Sequence, residues 1–336
     1  MPEACDAGGS GPAVSVPELE GRFIRRTDFI RLGVRSGRAN AMTQSAMPQN
    51  ATQNDAPLSL ADLRSEIDRI DAAMHQLLME RSEIIDRLVQ VKHTQGTEGG
   101  SAFRPAREAD MMRRLVERHR GLLPLDTVES IWRVIIATFT YVQAPYSVHA
   151  DLSGGEAPMR DSARFHFGFT VPFLPHMGAR GVIDAVAGSR GDLGLLAAAP
   201  SPSAADPWWT ALEAEGAPKI IARLPFVERD DHPAGLPVFV VSHPIADAAV
   251  REVRVYSLRV TGWSAAAGRA IPAFAEVVVA PDEALDGAAL LVSLPPGHAV
   301  DEVTGALAEA GAGIRAVAEV GSHAATHKVV RPAARP

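Results

Sequence analysis

The sequence predicts a multidomain chain: an all-α, three-helix segment over residues 58–149, followed by an α/β (α+β) region. Three observations predict it. Apolar residues recur 3 and 4 apart through residues 59–93, the mark of a helical seam. Two more helical stretches follow before Pro145. Beyond residue 150 short β-like runs alternate with Ala-rich helical pieces. The 336 residues, 46% of them hydrophobic, suffice for two domains of ordinary size.

The first 57 residues read as a disordered extension, polar and low in complexity. Residues 23–38 are a short basic, partly apolar piece, but Glu3, Asp6, Glu18 and Glu20 ahead of it argue against a targeting segment. Translation is expected to begin at Met42 or Met47. N-terminal sequencing of the native protein that finds Met1 would refute this.

The long helix carries its seam on Leu60, Leu63, Ile67, Ile70, Met74, Leu77, Ile84, Leu88 and Val91. Ser59 with Asp62 three residues on supplies an N-cap signal, and no Pro or Gly intervenes before Gly96. About 35 helical residues span roughly 50 Å, which suits a bundle shared between two chains. One seam position is Arg81, and Lys92 lies three turns, about 16 Å, further along the same face. A lone Arg there can snorkel and pair with Glu80 or Glu83 of a neighbouring helix. Two cations on one apolar stripe favour an anion pocket.

Residues 94–102 read as a loop. A second helix starts near Pro105, a good first helical position, and stops at Gly121. A third opens at Asp126, with Glu129 expected to complete a capping box, and ends at Pro145. Its apolar positions are Val128, Ile131, Trp132, Ile135, Phe139 and Val142. A linker is predicted over 150–163. Strands are predicted at 164–170, 192–197, 219–223, 237–242, 254–260, 275–279 and 289–294, and helices at 178–188, 207–215, 264–270 and 299–311.

Net charge is −7, with the acidic excess after residue 150, so no basic footprint for nucleic acid stands out. Cys5 is the only cysteine, which excludes an internal disulfide or thiolate cluster and fits a cytoplasmic setting. No apolar run reaches the ~18 residues of a membrane span. His323 and His327 have a metal-binding spacing but no third ligand, so no metal or other cofactor is expected. Gly311 and Gly313 fall short of a dinucleotide fingerprint. Arg190-Gly191-Asp192 reads as a turn, and Trp208-Trp209 as packing or a pocket wall.

Taken together, Arg64, Arg81, Lys92, Arg107, Glu108 and Gln143 make the segment 58–149 resemble the all-helical chorismate mutase family. The resemblance implies an intertwined homodimer through the long helix, because Arg64 and Lys92, 28 residues or about 42 Å apart, cannot reach one small molecule from one chain. It implies chorismate as substrate and its pericyclic rearrangement to prephenate as the reaction. Arg81 and the partner subunit's Arg64 would clamp the two carboxylates. Lys92 and Gln143 would donate to the ether oxygen, Glu108 would accept from the ring hydroxyl, and Arg107 would support the carboxylate end or Glu108. Two positions depart from the family pattern: Arg104 stands where an Asp is common, and Phe139 where a Ser is common.

The second half resembles, weakly, the prephenate dehydratase and ACT regions that follow such a domain in bifunctional enzymes. Residues 187–196 resemble a helix-to-strand passage of the dehydratase. Residues 288–330 resemble a βαβ opening of an ACT domain, which leaves 164–287 as a dehydratase-like region. That region lacks the dehydratase's Thr-Arg-Phe motif and its Glu-Asn-Ser run, the corresponding residues 199–203 reading Ala-Pro-Ser-Pro-Ser. It is expected to be silent for dehydration. Control by phenylalanine would follow from the same resemblance, though the binding segments match poorly. Two other functions stay open: an isochorismate pyruvate lyase, and a non-catalytic dimerisation module with a regulatory, small-molecule-binding C-terminal domain.

Overall fold

From Leu60 to Thr94 nothing breaks the backbone ladder, and the chain forms one continuous helix, α1 (Leu60–Thr94, 35 residues). The computed structural model describes residues 59–94, 101–198, 206–245, 251–282 and 285–329. The predicted extension over 1–57, most of the loop at 94–102 and residues 199–203 therefore lie outside the described residues. The chain divides into two units, Met1–Ser59 and Leu60–Pro336, and all the elements belong to the second.

After α1 come α2 (Pro105–Arg118) and α3 (Leu125–Gln143). None of the residues of α1 is buried, and its seam from Leu60 to Val91 stays exposed. Only a neighbouring stripe, Arg81, Ile85, Val89 and Lys92, is half-buried. That stripe is rotated by one residue from the seam, so α1 has two faces with different uses.

α3 shows the same division. Of its expected seam, Val128 is buried, while Ile131, Trp132 and Val142 are exposed. The face that packs inward carries Glu129, Arg133, Ile136, Ala137 and Thr140. The expected capping box at Asp126 does not form: α3 begins at Leu125 behind Pro124, with no side-chain cap. Glu129 is turned into the interior instead, where it finds partners about a hundred residues away in sequence.

A mixed nine-stranded sheet follows, in the order β2-β1-β3-β6-β4-β10-β7-β9-β8. Its first part holds β1 (Val148–Asp151), α4 (Glu156–Phe167), β2 (Phe173–His176), α5 (Ala179–Ala187), β3 (Leu193–Ala197), β4 (Lys219–Leu224), β5 (Val227–Glu228) and β6 (Val238–Ser242). β2, β1 and β3 run parallel, and β6 runs antiparallel to both β3 and β4. The predicted linker at 150–163 is thus the end of β1 and most of α4. The predicted strand at 164–170 is the last turn of that helix. Alternation of Phe and polar residues suggested a strand there, but Met159, Ala163, His166 and Phe167 share the buried face of a helix, three and four residues apart. Trp208 and Trp209 open a short 3₁₀ helix (Trp208–Leu212) and are buried in the core.

The second part is β7 (Val253–Thr261), α6 (Ala265–Ala270), β8 (Glu276–Asp282), β9 (Gly287–Leu294), α7 (Val300–Glu309) and β10 (Gly313–His323), with β11 (His327–Lys328) pairing to β5. It is a complete βαββαβ unit, with β7 inserted between β9 and β10 as in ferredoxin-like folds. The ACT-like segment is therefore not confined to 288–330. A boundary at 287/288 would separate β8 from β9, which pair from Glu276↔Ser293 to Asp282↔Gly287. β10 also joins the two parts of the sheet, pairing in parallel with β4 at Gly321↔Ile220. A Cβ on Gly321 would collide with the Ile220 carbonyl, so this junction requires glycine. His323 ends β10 and is buried; burial lowers its pKa to about 4.

Helices and sheet share one core. Phe103, Met112, Leu115, Ile136 and Ala137 belong to the same apolar cluster as Ala150, Met159, Leu193, Phe226 and Val240. Two buried ion pairs lie at this junction. Arg133 Nη1 donates to Glu108 Oε2 at 2.7 Å, and Arg133 Nη2 to the His166 carbonyl of α4 at 3.1 Å. Arg229 Nη1 donates to Glu129 Oε2 at 2.7 Å, with His232 Nε2 3.3 Å from Oε1. Glu129 and Arg133 are both 0% exposed. His166 stacks on His232, and burial holds its pKa well below the usual histidine range, helped by the charges of Arg133 and His232. Removing one member of such a pair leaves the other charged and dry, at a cost of about 3–5 kcal/mol. Glu129→Ala is expected to lower the denaturant-unfolding free energy by roughly that amount. The same substitution at exposed Glu83 should leave the midpoint where it is.

Candidate active site

A half-buried group of side chains gathers where the last third of α1 meets α3 and the start of α2. Arg81 and Lys92 come from α1, three turns apart on one face. Phe139 and Gln143 come from α3, one turn apart. Lys92 Nζ donates to Gln143 Oε1 at 3.2 Å. Gln143 Nε2 donates in turn to the Phe139 carbonyl at 3.0 Å, which sets the orientation of the amide. The Arg81 guanidinium lies over the Phe139 ring, 4.7 Å from its centroid. Arg81 Nη1 is buried without a hydrogen-bond acceptor.

The electrostatics are one-sided. Burial lowers the pKa of Arg81, and the charge of Arg107 adds to it. Burial lowers that of Lys92 as well, followed by the charge of Arg104. Arg104, just ahead of α2, is anchored by its Nη1 donating to the carbonyls of Ser101 (2.6 Å) and Phe103 (3.0 Å). Arg81 and Lys92 are thus charged groups in surroundings that disfavour their charge, with Arg107 and Arg104 adding to the positive potential, an arrangement suited to a multiply charged anion. Among the described residues no group of three His, Cys, Asp or Glu side chains could hold a metal ion.

The sequence-derived residues divide into three sets. Arg81, Lys92, Arg107 and Gln143 come together. Arg64 stands on the exposed far part of α1, 28 residues from Lys92. Glu108 is 4% exposed, and its Oε2 accepts from Arg133 Nη1, which ties α2 to α3. Arg133, Arg229 and His232 went unread. An arginine in the otherwise apolar run Ile131 to Ala137 was the available signal, since a charge in such a run must face either water or a buried partner.

Residues 63–144 match the family described as chorismate mutase type II. The helical segment is thus similar to a chorismate mutase type II domain, and the mixed sheet lies outside the match. Two curated relatives are similar over part of their length. Both are described as bifunctional chorismate mutase/prephenate dehydratase. The protein of Neisseria gonorrhoeae (strain ATCC 700825 / FA 1090) is 30% identical over 105 residues, 31% of this chain and 27% of that one. The protein of Aquifex aeolicus (strain VF5) is 28% identical over 141 residues, 41% of this chain and 38% of that one. The matched stretch thus spans well under half of either relative. A solved structure titled "GqqA- a novel type of quorum quenching acylases" covers 54% of this chain and 95% of its own, at 16% identity and a TM-score of 0.35, a likeness too slight to define a fold. No helix among the described residues is long and apolar enough to cross a membrane.

The lowered Lys92 pKa has a measurable consequence. The ammonium is lost as pH rises through a value below that of an ordinary lysine, so binding of a dicarboxylate should weaken earlier on the alkaline side than an exposed lysine would dictate. Lys92→Arg should move that limb to higher pH in a calorimetric titration.

Proposed function

We propose that the chain is a chorismate mutase, rearranging chorismate to prephenate. The observation that carries this reading is the Lys92–Gln143 pair beside the stacked Arg81. Chorismate is a dicarboxylate whose ether C–O bond breaks while a C–C bond forms in the same step. The reaction needs no nucleophile and no proton transfer. It needs the side chain folded over the ring and negative charge on the departing oxygen stabilised.

In this reading the Arg81 fork holds one carboxylate. Lys92, together with the second N–H of the Gln143 amide, donates to the ether oxygen. Arg107 and Arg104 supply positive potential at the entrance. Confinement of the reactive conformer contributes up to about 7–11 kcal/mol in the best intramolecular cases, and each aimed donor about 3–4. Glu108 is assigned a supporting role, tying α2 to Arg133.

The second carboxylate is assigned to Arg64 of the partner subunit. The exposed seam Leu63, Ile67, Ile70, Met74 and Leu77 supports a homodimer, since an apolar stripe of that length is suited to an identical helix running antiparallel. The missing dehydratase motifs support a second half silent for dehydration, and a single cysteine fits a cytoplasmic setting.

The test is chorismate loss by absorbance on the purified protein, with prephenate as the product rather than salicylate, followed by a search for enzymatic phenylpyruvate. Lys92→Ala is expected to lower kcat by about 10²–10³. Arg81→Ala should mainly raise KM. Chorismate left intact by the wild-type protein, or a Lys92→Ala variant as fast as the parent, would overturn the assignment.

A further inference from the structure

Phe139 touches two members of the site in two different ways. Its ring lies under Arg81, and its carbonyl accepts from the Gln143 amide. A guanidinium stacked on a ring keeps its N–H edges free in its own plane while one face is closed to water. Those edges are what a carboxylate meets in a bidentate contact. In Arg81 the Nη1 group is buried and still lacks an acceptor, so one donor of the fork is unmet without a ligand. Among the described residues its neighbours Glu80 and Glu83 have other partners, Glu80 accepting from Gln76 and Glu83 pairing with Arg87.

The helix geometry explains why an aromatic ring suits this position. Arg81 and Lys92 are about 16 Å apart along α1, whereas Phe139 and Gln143 are about 6 Å apart along α3. Both cations must therefore reach inward to meet residues one turn apart. A long side chain crossing such a gap loses rotamer freedom on binding unless something holds it beforehand. A serine here would offer a hydroxyl but would leave the guanidinium hydrated and free to turn. A flat apolar face holds it without using any of its N–H groups.

We propose that Phe139 is a positioning residue for substrate: its ring pre-aims and desolvates the Arg81 guanidinium for a substrate carboxylate, while its backbone fixes the amide that pairs with Lys92. The assignment rests on the mutase reading for the identity of the substrate, not for the anion-binding role itself. It makes Phe139 a determinant of substrate affinity more than of turnover, because the carboxylate contact exists equally in ground and transition states.

The experiment compares full-length wild type with Phe139→Leu, Phe139→Tyr and Phe139→Ser. Readouts are kcat and KM for chorismate, and the calorimetric Kd of a saturated oxabicyclic dicarboxylate shaped like the rearranging substrate. Phe139→Leu keeps bulk and apolarity but removes the π face. It is expected to raise both KM and Kd by about 2- to 30-fold, the range of a cation–π contact from exposed to desolvated sites, with kcat within about twofold. Phe139→Tyr should restore wild-type values, and Phe139→Ser should bind more weakly than Phe139→Leu. Thermal unfolding identifies any variant that has lost its fold, and the Leu and Tyr variants bracket that case. Wild-type KM and Kd in Phe139→Leu, or tighter binding by Phe139→Ser, would overturn the proposal. A wild-type protein that binds the dicarboxylate but leaves chorismate intact would overturn the mutase reading alone. One that does neither would overturn both.

Discussion

Two ion pairs shut away from water fix where everything else sits. Glu108–Arg133 and Glu129–Arg229 each join the helical segment to itself or to the sheet, at full burial. Desolvating four charges is expensive, and such pairs add little net stability over apolar packing. What they impose is register. A shift of α3 by one residue would rotate Glu129 and Arg133 by about 100° and leave both carboxylate and guanidinium partners alone in the interior. The helices are therefore held in one orientation on the sheet, which fixes where Phe139 and Gln143 point on the other face of α3.

That orientation explains the division of faces. α3 gives its charged and small residues to the sheet and its cleft-forming residues to α1. α1 in turn gives the stripe of Ile85 and Val89 to its own chain and keeps the seam of Leu63 to Val91 for elsewhere. Arg81 and Lys92 bracket Ile85 and Val89 on that same stripe, so these three turns of α1 serve both packing and chemistry. The second half of the chain has a definite structural task whatever else it does. It supplies Arg229, His232 and the His166 carbonyl, without which the helical core would hold unmatched charges.

Burial makes Arg81 and Lys92 weaker bases, and repulsion from the charges of Arg107 and Arg104 adds to it. Binding a dianion removes that repulsion. The site is in this sense prepared for charge rather than for a hydroxyl: Arg104 adds to the positive potential near Lys92, and the one nearby carboxylate expected to read a hydroxyl is committed to Arg133. The departures at Arg104 and Phe139 thus act together on the same cleft.

How much was legible can be argued residue by residue. The sequence by itself determined α1, its unbroken length and the shared face of Arg81 and Lys92, because helical periodicity is a local property that needs no distant partner. Short runs bounded by turns also gave most strands from β3 to β9. The sequence could not show that the buried face of α3 carries charged residues, or that Glu129 finds a partner a hundred residues away. It mistook the end of α4 for a strand, because the alternation of residues 164–170 outweighed the helical spacing from Met159 to Phe167. It divided the βαββαβ unit in half, because β7 enters between β9 and β10 only in space. Only tertiary structure decided these, for one physical reason: which face of an element turns inward depends on the free energy of the whole packed interior, and buried charges choose partners by proximity in the fold, not along the chain.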